Sequence, residues 1–321
     1  MKTRNTRFMA CMALTLVSGP TLAQPGNLDI SGLTEVEFYT LNSDTHGDSS
    51  DFLVPTLEFG IEAGLSEQVN VAVTLLAEDI GSDEQTSLEI DEAVIHLAMA
   101  GGTLTLGHTG MPFGRYETNA LSDPLTLLLG ETAESAIIYR TQSDSGLSLA
   151  AFLFNGDVDD GEDAINDLGF SIGITQQNWS VGADYISNLG DSDTLGDLDN
   201  PGENDDVAGF ALHGTFTRGS LSLIIEQVRA MDSFSIGDAA GLQPSASQLE
   251  IAIDLGDDRL VALSLSSSEE AHNLLQYETQ TALAYKSPVF QHLSMGLQVF
   301  KAEDYAGSQD NGFNMRLGLA F

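Results

Sequence analysis

The chain is short of several things, and each shortage closes off a class of protein. Among 321 residues there is one cysteine, Cys11, so neither a disulfide framework nor a thiolate metal centre can form. Lysine and arginine number 11 against 48 acidic residues, for a formal charge of -37. A nucleic-acid partner is thereby excluded, because phosphate contacts are carried by basic side chains. Beyond the first two dozen residues no apolar run exceeds a handful, whereas a membrane-spanning helix needs roughly 20 such residues. Charge-driven disorder does not apply, since 42% of residues are hydrophobic and they are spread over the whole length.

What is present begins with an address. Lys2, Arg4 and Arg7 precede the apolar run 8–17, followed by Ser18, Gly19, Pro20 and the small-residue site Thr21-Leu22-Ala23. This order predicts a secretory signal peptide over 1–23 and a mature domain over 24–321, carrying a charge of -40. Most of the apolar run follows Cys11, which argues against a lipoprotein site.

The mature chain alternates apolar and polar residues with the period of a half-buried strand. Leu293, Met295, Leu297 and Val299 alternate with Ser294, Gly296 and Gln298; Leu249, Ile251, Ile253 and Leu255 alternate with Glu250, Ala252 and Asp254. No comparable stretch keeps a helical spacing, so the fold class is all-β. Seven short connections (66–68, 101–102, 144–146, 177–178, 218–219, 256–258, 287–289) interleave with eight longer, acidic ones. The longer set lies near 42–51, 80–87, 107–134, 156–167, 189–206, 232–247, 268–275 and 303–311. Fifteen connections join sixteen strands. An even count, with short turns at one end and long loops at the other, predicts a transmembrane antiparallel β-barrel of a Gram-negative outer membrane. Trp179 with Tyr185, and Tyr277 with Tyr285, are candidates for aromatic girdles. The last strand alternates to a terminal Phe321, similar to the assembly signal of such barrels. The partners expected are therefore outer-membrane lipids, lipopolysaccharide and the barrel assembly machinery, and an oligomer is compatible with the fold.

If the apolar set meets lipid, the alternate set lines the lumen. That set is acidic: Glu35, Glu37, Glu58, Glu62, Glu92, Asp184, Glu226, Glu250, Asp254 and Glu278, with Arg316 as its base. Gln298 belongs to the same water-facing set. Ionised carboxylates in a wet lumen concentrate cations and repel small anions. The acidic loops, chiefly Asp157, Asp159, Asp160, Glu162, Asp163 and the run 191–206, allow loose divalent-cation binding. Neither matches an EF-hand, because its fifth position would fall on Gly161 or Pro201. No defined metal site and no cofactor are expected. The six histidines are scattered, without an HExxH or GxSxG pattern, and an enzyme is not expected. His96 and His213 alone occupy mid-strand lumenal positions.

The loop 107–134 is the longest of the long set and among its less acidic members per residue. Its position after the fifth strand, and its apolar Leu125, Leu127, Leu128 and Leu129, predict that this third loop folds into the lumen against the wall. Pro112 and Pro124 fix φ, Gly114 and Gly130 permit sharp turns, and Arg115 is placed to tether the loop to Glu117, Asp123, Glu131 and Glu134. Phe113 and Tyr116 are candidates for an aromatic surface offered to a solute. The strings Met111-Pro112-Phe113-Gly114, Glu117-Thr118-Asn119, Ser122-Asp123-Pro124-Leu125-Thr126 and Gly130-Glu131-Thr132 resemble the third-loop motif of the LbtU-like siderophore porins. The resemblance implies a sixteen-stranded barrel that takes up a ferric siderophore without an amino-terminal plug. Two other readings fit the residues: a general cation-preferring diffusion porin, and a structural or adhesive barrel with no open pore.

Overall fold

The computed structural model describes residues 26–82, 86–156, 165–196, 206–235, 237 and 239–321. The predicted signal peptide and the acid-rich segments 157–164 and 197–205 lie outside the described residues. Sixteen strands form one closed barrel. They are β1 (Leu28–Ser43), β2 (Gly47–Ser66), β3 (Val69–Ile80), β4 (Glu89–Met99), β5 (Gly102–Gly110), β6 (Ala133–Gln142), β7 (Leu147–Asn155) and β8 (Asp167–Gln176). The second half runs β9 (Trp179–Ile186), β10 (Gly209–Arg218), β11 (Leu221–Ala230), β12 (Ser245–Gly256), β13 (Arg259–Glu269), β14 (Thr279–Phe290), β15 (Leu293–Glu303) and β16 (Gln309–Ala320). Every strand pairs antiparallel with its sequence neighbours, and β1 closes on β16 with Leu33 opposite Ala320. Closure leaves no unpaired edge, a requirement for backbone in lipid. Phe321 lies just past β16 and exchanges two backbone hydrogen bonds with Gly32, at 3.1 Å each.

Parity sorts the side chains as expected. Phe170, Ile172, Leu249, Ile251, Ile253, Leu263 and Val299 point outward and are exposed on the isolated chain, the face that lipid covers. Their alternates, among them Asp184, Glu226, Glu250 and Gln298, are buried within the barrel.

Four expectations about the connections need correction. The stretch 42–51 is no loop: β1 and β2 stay paired as far as Ser43 opposite Gly47. A three-residue turn closes them, with the Ser43 hydroxyl accepting from the Thr45 and His46 N–H groups. Polar side chains there discouraged a strand assignment, yet pairing satisfies the backbone whatever the side chains are. Similarly, 303–311 shrinks to 304–308, braced by the Asp304 carboxylate accepting from the Ala306 and Ser308 N–H groups. The turn expected at 287–289 sits at 291–292, because an irregular register between Pro288 and Phe290 carries β14 further. Two short helices also interrupt the all-β pattern, α1 (Leu125–Gly130) in the third loop and α2 (Asp193–Gly196) between β9 and β10.

Inside the long-loop half of the barrel an apolar core forms. Phe113, Leu125 and Leu129 of the third loop pack with Phe152 and Phe154 of β7. Leu189 before α2 and Leu195 within it, Phe234 and Ala239 between β11 and β12, and Leu274 and Leu275 between β13 and β14 join the same cluster. Burying these side chains, at roughly 25 cal/mol per Å2 of apolar area, stabilises the loop in this position.

Candidate pore constriction

The third loop leaves β5 at Gly110 and rejoins β6 at Ala133, with the Met111 N–H donating to the Thr132 carbonyl at 2.8 Å to pinch its base. From there it is bonded, strand after strand, to inward-facing side chains. On β9, Asp184 accepts from the Gly114 N–H at 3.0 Å. On β11, Glu226 accepts from the Arg115 N–H at 2.6 Å, the Tyr116 N–H at 2.9 Å and the Thr126 hydroxyl at 3.0 Å. On β12, Glu250 accepts from the Thr118 hydroxyl and the Asn119 side chain at 2.7 Å, and from the Asn119 N–H at 3.0 Å. Gln248 of the same strand donates to the Glu117 carbonyl at 3.1 Å.

The tip continues onto β14 and β15. Gln280 and Gln298 donate to the Ser122 hydroxyl at 2.8 and 3.0 Å, and Gln298 accepts the Leu121 N–H at 2.6 Å. The return limb is α1, entered from Pro124 at φ -70° and packed on β11, β12 and β13. A charged acceptor strengthens each such bond, and Glu226 and Glu250 each take three donors of the loop. Strain marks the path as imposed from outside: Tyr116, a non-glycine residue, sits at φ 54°. Gly114 before it, at φ 75°, adopts the same left-handed region without a Cβ penalty.

Several residues chosen from sequence take different parts. Arg115 anchors the loop through its backbone N–H, whereas its guanidinium has no ion pair among the described residues. The expected tether therefore runs the other way, from wall carboxylates to loop amides. Phe113 is 1% exposed and fills space in the core, offering no surface to a solute, while Tyr116 packs half-buried against the same core. Gly130 does not turn the chain; it ends α1 where a Cβ would meet the Tyr116 hydroxyl oxygen at 2.6 Å. Glu131 is pushed up to about 8 by burial and by Asp193, Glu78 and Asp91 nearby. Its carbonyl receives the Asp193 N–H at 2.8 Å, joining the third loop to α2. Asp123 is buried within electrostatic reach of Arg316.

The lumenal set divides in the same manner. Arg316 is 3% exposed and locked between Glu35 at 3.4 Å and Glu37 at 2.7 Å. Glu62 takes a bond from Asn70, and Glu92 one from Thr109 at 2.8 Å. Glu58 has no hydrogen bond among the described residues. Asp254 and Glu278 keep the inward parity but are exposed at strand ends, Asp254 near the end of β12 and Glu278 just before β14. Arg316 is not the only base of that parity: Arg140 on β6 and Lys286 on β14 share it. Gln298, expected to face water, is 1% exposed beneath the loop tip. Tyr277 is buried and donates to Asp310 at 2.5 Å, so it belongs to no girdle. His96 bonds Thr105 at 2.9 Å, and His213 lies 3.2 Å from Asp184. Among the described residues no group of acids and histidines has the geometry of a metal site. Gln248 and Gln280 are not singled out by the sequence reading, although both are polar residues at inward positions on strands facing the loop.

A family model described as Gram-negative porin matches residues 10–248. The chain belongs to the Gram-negative porin family. A UPF0422 protein of Legionella pneumophila is 24% identical to this porin over 268 residues, covering 73% of this chain and 49% of the relative. A UPF0422 protein of Coxiella burnetii is 28% identical over 162 residues, 46% of this chain and 35% of that one. The chain spans about half the length, or less, of the curated relatives it matches. Among solved structures, an anion-selective porin from Comamonas acidovorans superposes with a TM-score of 0.69 at 13% identity, over 92% of this chain and 99% of that one. The outer-membrane channel DcaP of Acinetobacter baumannii gives 0.68 at 12% identity, over 92% and 98%. At such identities the likeness is of fold. Family and fold together make this porin an outer-membrane β-barrel.

Proposed function

We propose that the third loop narrows the lumen to a constriction through which small solutes diffuse, with ferric siderophores as the cargo that the loop motif implies. The observation that carries the constriction is the row of bonds from residues 114–122 to inward groups on β9, β11, β12, β14 and β15. A segment bonded across five strands of the inner wall occupies cross-section that water and solute would otherwise use.

Planar-bilayer recordings of the purified barrel test this reading. Discrete openings are expected, with a larger unitary conductance when residues 111–132 are removed. A silent intact barrel would replace the channel with the structural or adhesive reading. Cargo is tested separately, by growth on ferric siderophores under iron limitation after deletion of the gene. Unchanged growth on every siderophore tried would leave the general cation-preferring porin as the reading. That alternative is favoured by Glu58, Glu62 and Glu92, acids on β2 and β4 that bind no part of the third loop.

A further inference from the structure

Beneath the tip of the third loop lies a recess of about 230 Å3, lined by Glu35, Leu121, Lys286, Ser294, Arg316 and Gly318. Leu121 roofs it. Its side chain lies where a Cβ on Gly296 would stand, only 2.5 Å away, so the loop tip seats on β15 because that position has no side chain.

The charges lining the recess are not equally committed. Arg316 is held by Glu35 and Glu37, two carboxylates sharing one guanidinium. Glu250, the other acid acting on Lys286, is filled by Thr118 and Asn119. Lys286 itself has no ion pair or hydrogen bond among the described residues, and its nearest basic neighbour, Arg316, repels it. An ammonium carries three donors and no acceptor. Lys286 is thus the one basic group lining the recess that no hydrogen bond or ion pair occupies among the described residues, with Glu35 and, at the rim, Asp258 as the acids that line it. Leu121 and Leu260 add apolar wall beside it.

We propose that this recess binds small carboxylate anions, the carboxylate paired with Lys286 and the aliphatic body laid against Leu121 and Leu260. The proposal deepens the channel reading and rests on it, since a solute reaches the recess through the lumen. Its volume falls below the 300–1,000 Å3 of ordinary small-molecule pockets, so the ligand is of the size of a four-carbon diacid and a ferric siderophore does not fit.

The test is equilibrium dialysis of radiolabelled succinate against the folded barrel in detergent micelles. Saturable binding is expected, displaced by unlabelled succinate and not by succinamide, which has the same body without the charge. Lys286→Gln should weaken binding at least tenfold and Lys286→Arg should retain it, with folding of each verified by the heat-modifiable gel shift. Absence of saturable binding, equal displacement by succinamide, or wild-type affinity in folded Lys286→Gln would overturn the site. Should Lys286→Gln fail to fold, the succinamide competition on the wild-type barrel decides alone. Failure of the channel reading is distinguished by the bilayer: a barrel that binds succinate but never conducts keeps the site and loses the channel.

Discussion

Two parts of the inner wall carry the same residue type at the same parity and put it to different use. On β9, β11 and β12 the carboxylates of Asp184, Glu226 and Glu250 are acceptors for a loop and buried beneath it, Glu226 and Glu250 each taking several of its donors. On β2 and β4, Glu58, Glu62 and Glu92 bind no part of that loop, and each is only partly buried. The first group holds the loop, while the second is left to act on the field of the barrel interior. A lumenal acid therefore contributes to cation preference only if nothing has been packed against it, which its own strand does not decide.

The largest expected effect breaks the covered wall. Glu226→Ala leaves two N–H groups and one hydroxyl without their acceptor and releases the strained Tyr116, at a cost of about 3 kcal/mol or more. Denaturant unfolding in micelles measures it, and Glu58→Ala, with no loop to lose, should stay within about 0.5 kcal/mol. Equal losses would erase the distinction between the walls.

Next comes the outer face against the loop-covered inner one. Leu297→Arg places a charge in lipid and should cost about 2 to 4 kcal/mol. Gln298→Arg should also destabilise, because it removes the acceptor of Leu121 and a donor to Ser122 in a site with no room for a larger group. A neutral Gln298→Arg, read in the same unfolding experiment, would show that the tip is not seated there.

A smaller effect follows pH. Glu131 holds its proton up to about pH 8 in the fold, against 4.5 for the free side chain, so folding favours the protonated form. Stability should then fall as pH rises from about 4.5 to about 8 and level off above, since the folded state must give up a proton that the unfolded chain has already lost. Glu131→Gln should flatten that slope in thermal melts taken across this range; an unchanged slope would assign it to other groups.

Weaker still is the change in selectivity. Glu58→Gln and Glu92→Gln should each lower the potassium-over-chloride preference in reversal-potential measurements, less so at 1 M salt, where the Debye length is about 3 Å. Glu250→Gln should lower it less than either, its charge being committed to Thr118 and Asn119. At the bottom of the scale, Arg115→Ala keeps the backbone N–H that matters and should shift unfolding by under about 0.5 kcal/mol.

Strand number, closure and facing were legible from the sequence because each follows from local periodicity. Alternation of Leu297 and Val299 with Gln298 needs only the pleat of one strand to sort lipid from lumen. The special character of 107–134 was legible too, since a leucine-rich stretch of a long loop must bury itself somewhere. Periodicity is silent on which distant groups meet. It gave no means of pairing Glu226 with the amide of Arg115, 111 positions earlier, nor of separating Glu226 from Glu58. The apparent tether at Arg115 misled because a side-chain charge shows in sequence, whereas a backbone N–H, present at nearly every residue, does not. The sequence by itself determined a closed sixteen-stranded barrel and the face each side chain takes. Only the tertiary structure decided which carboxylates stay free, because that depends on where a loop from β5 comes to rest seventy or more residues further along the chain.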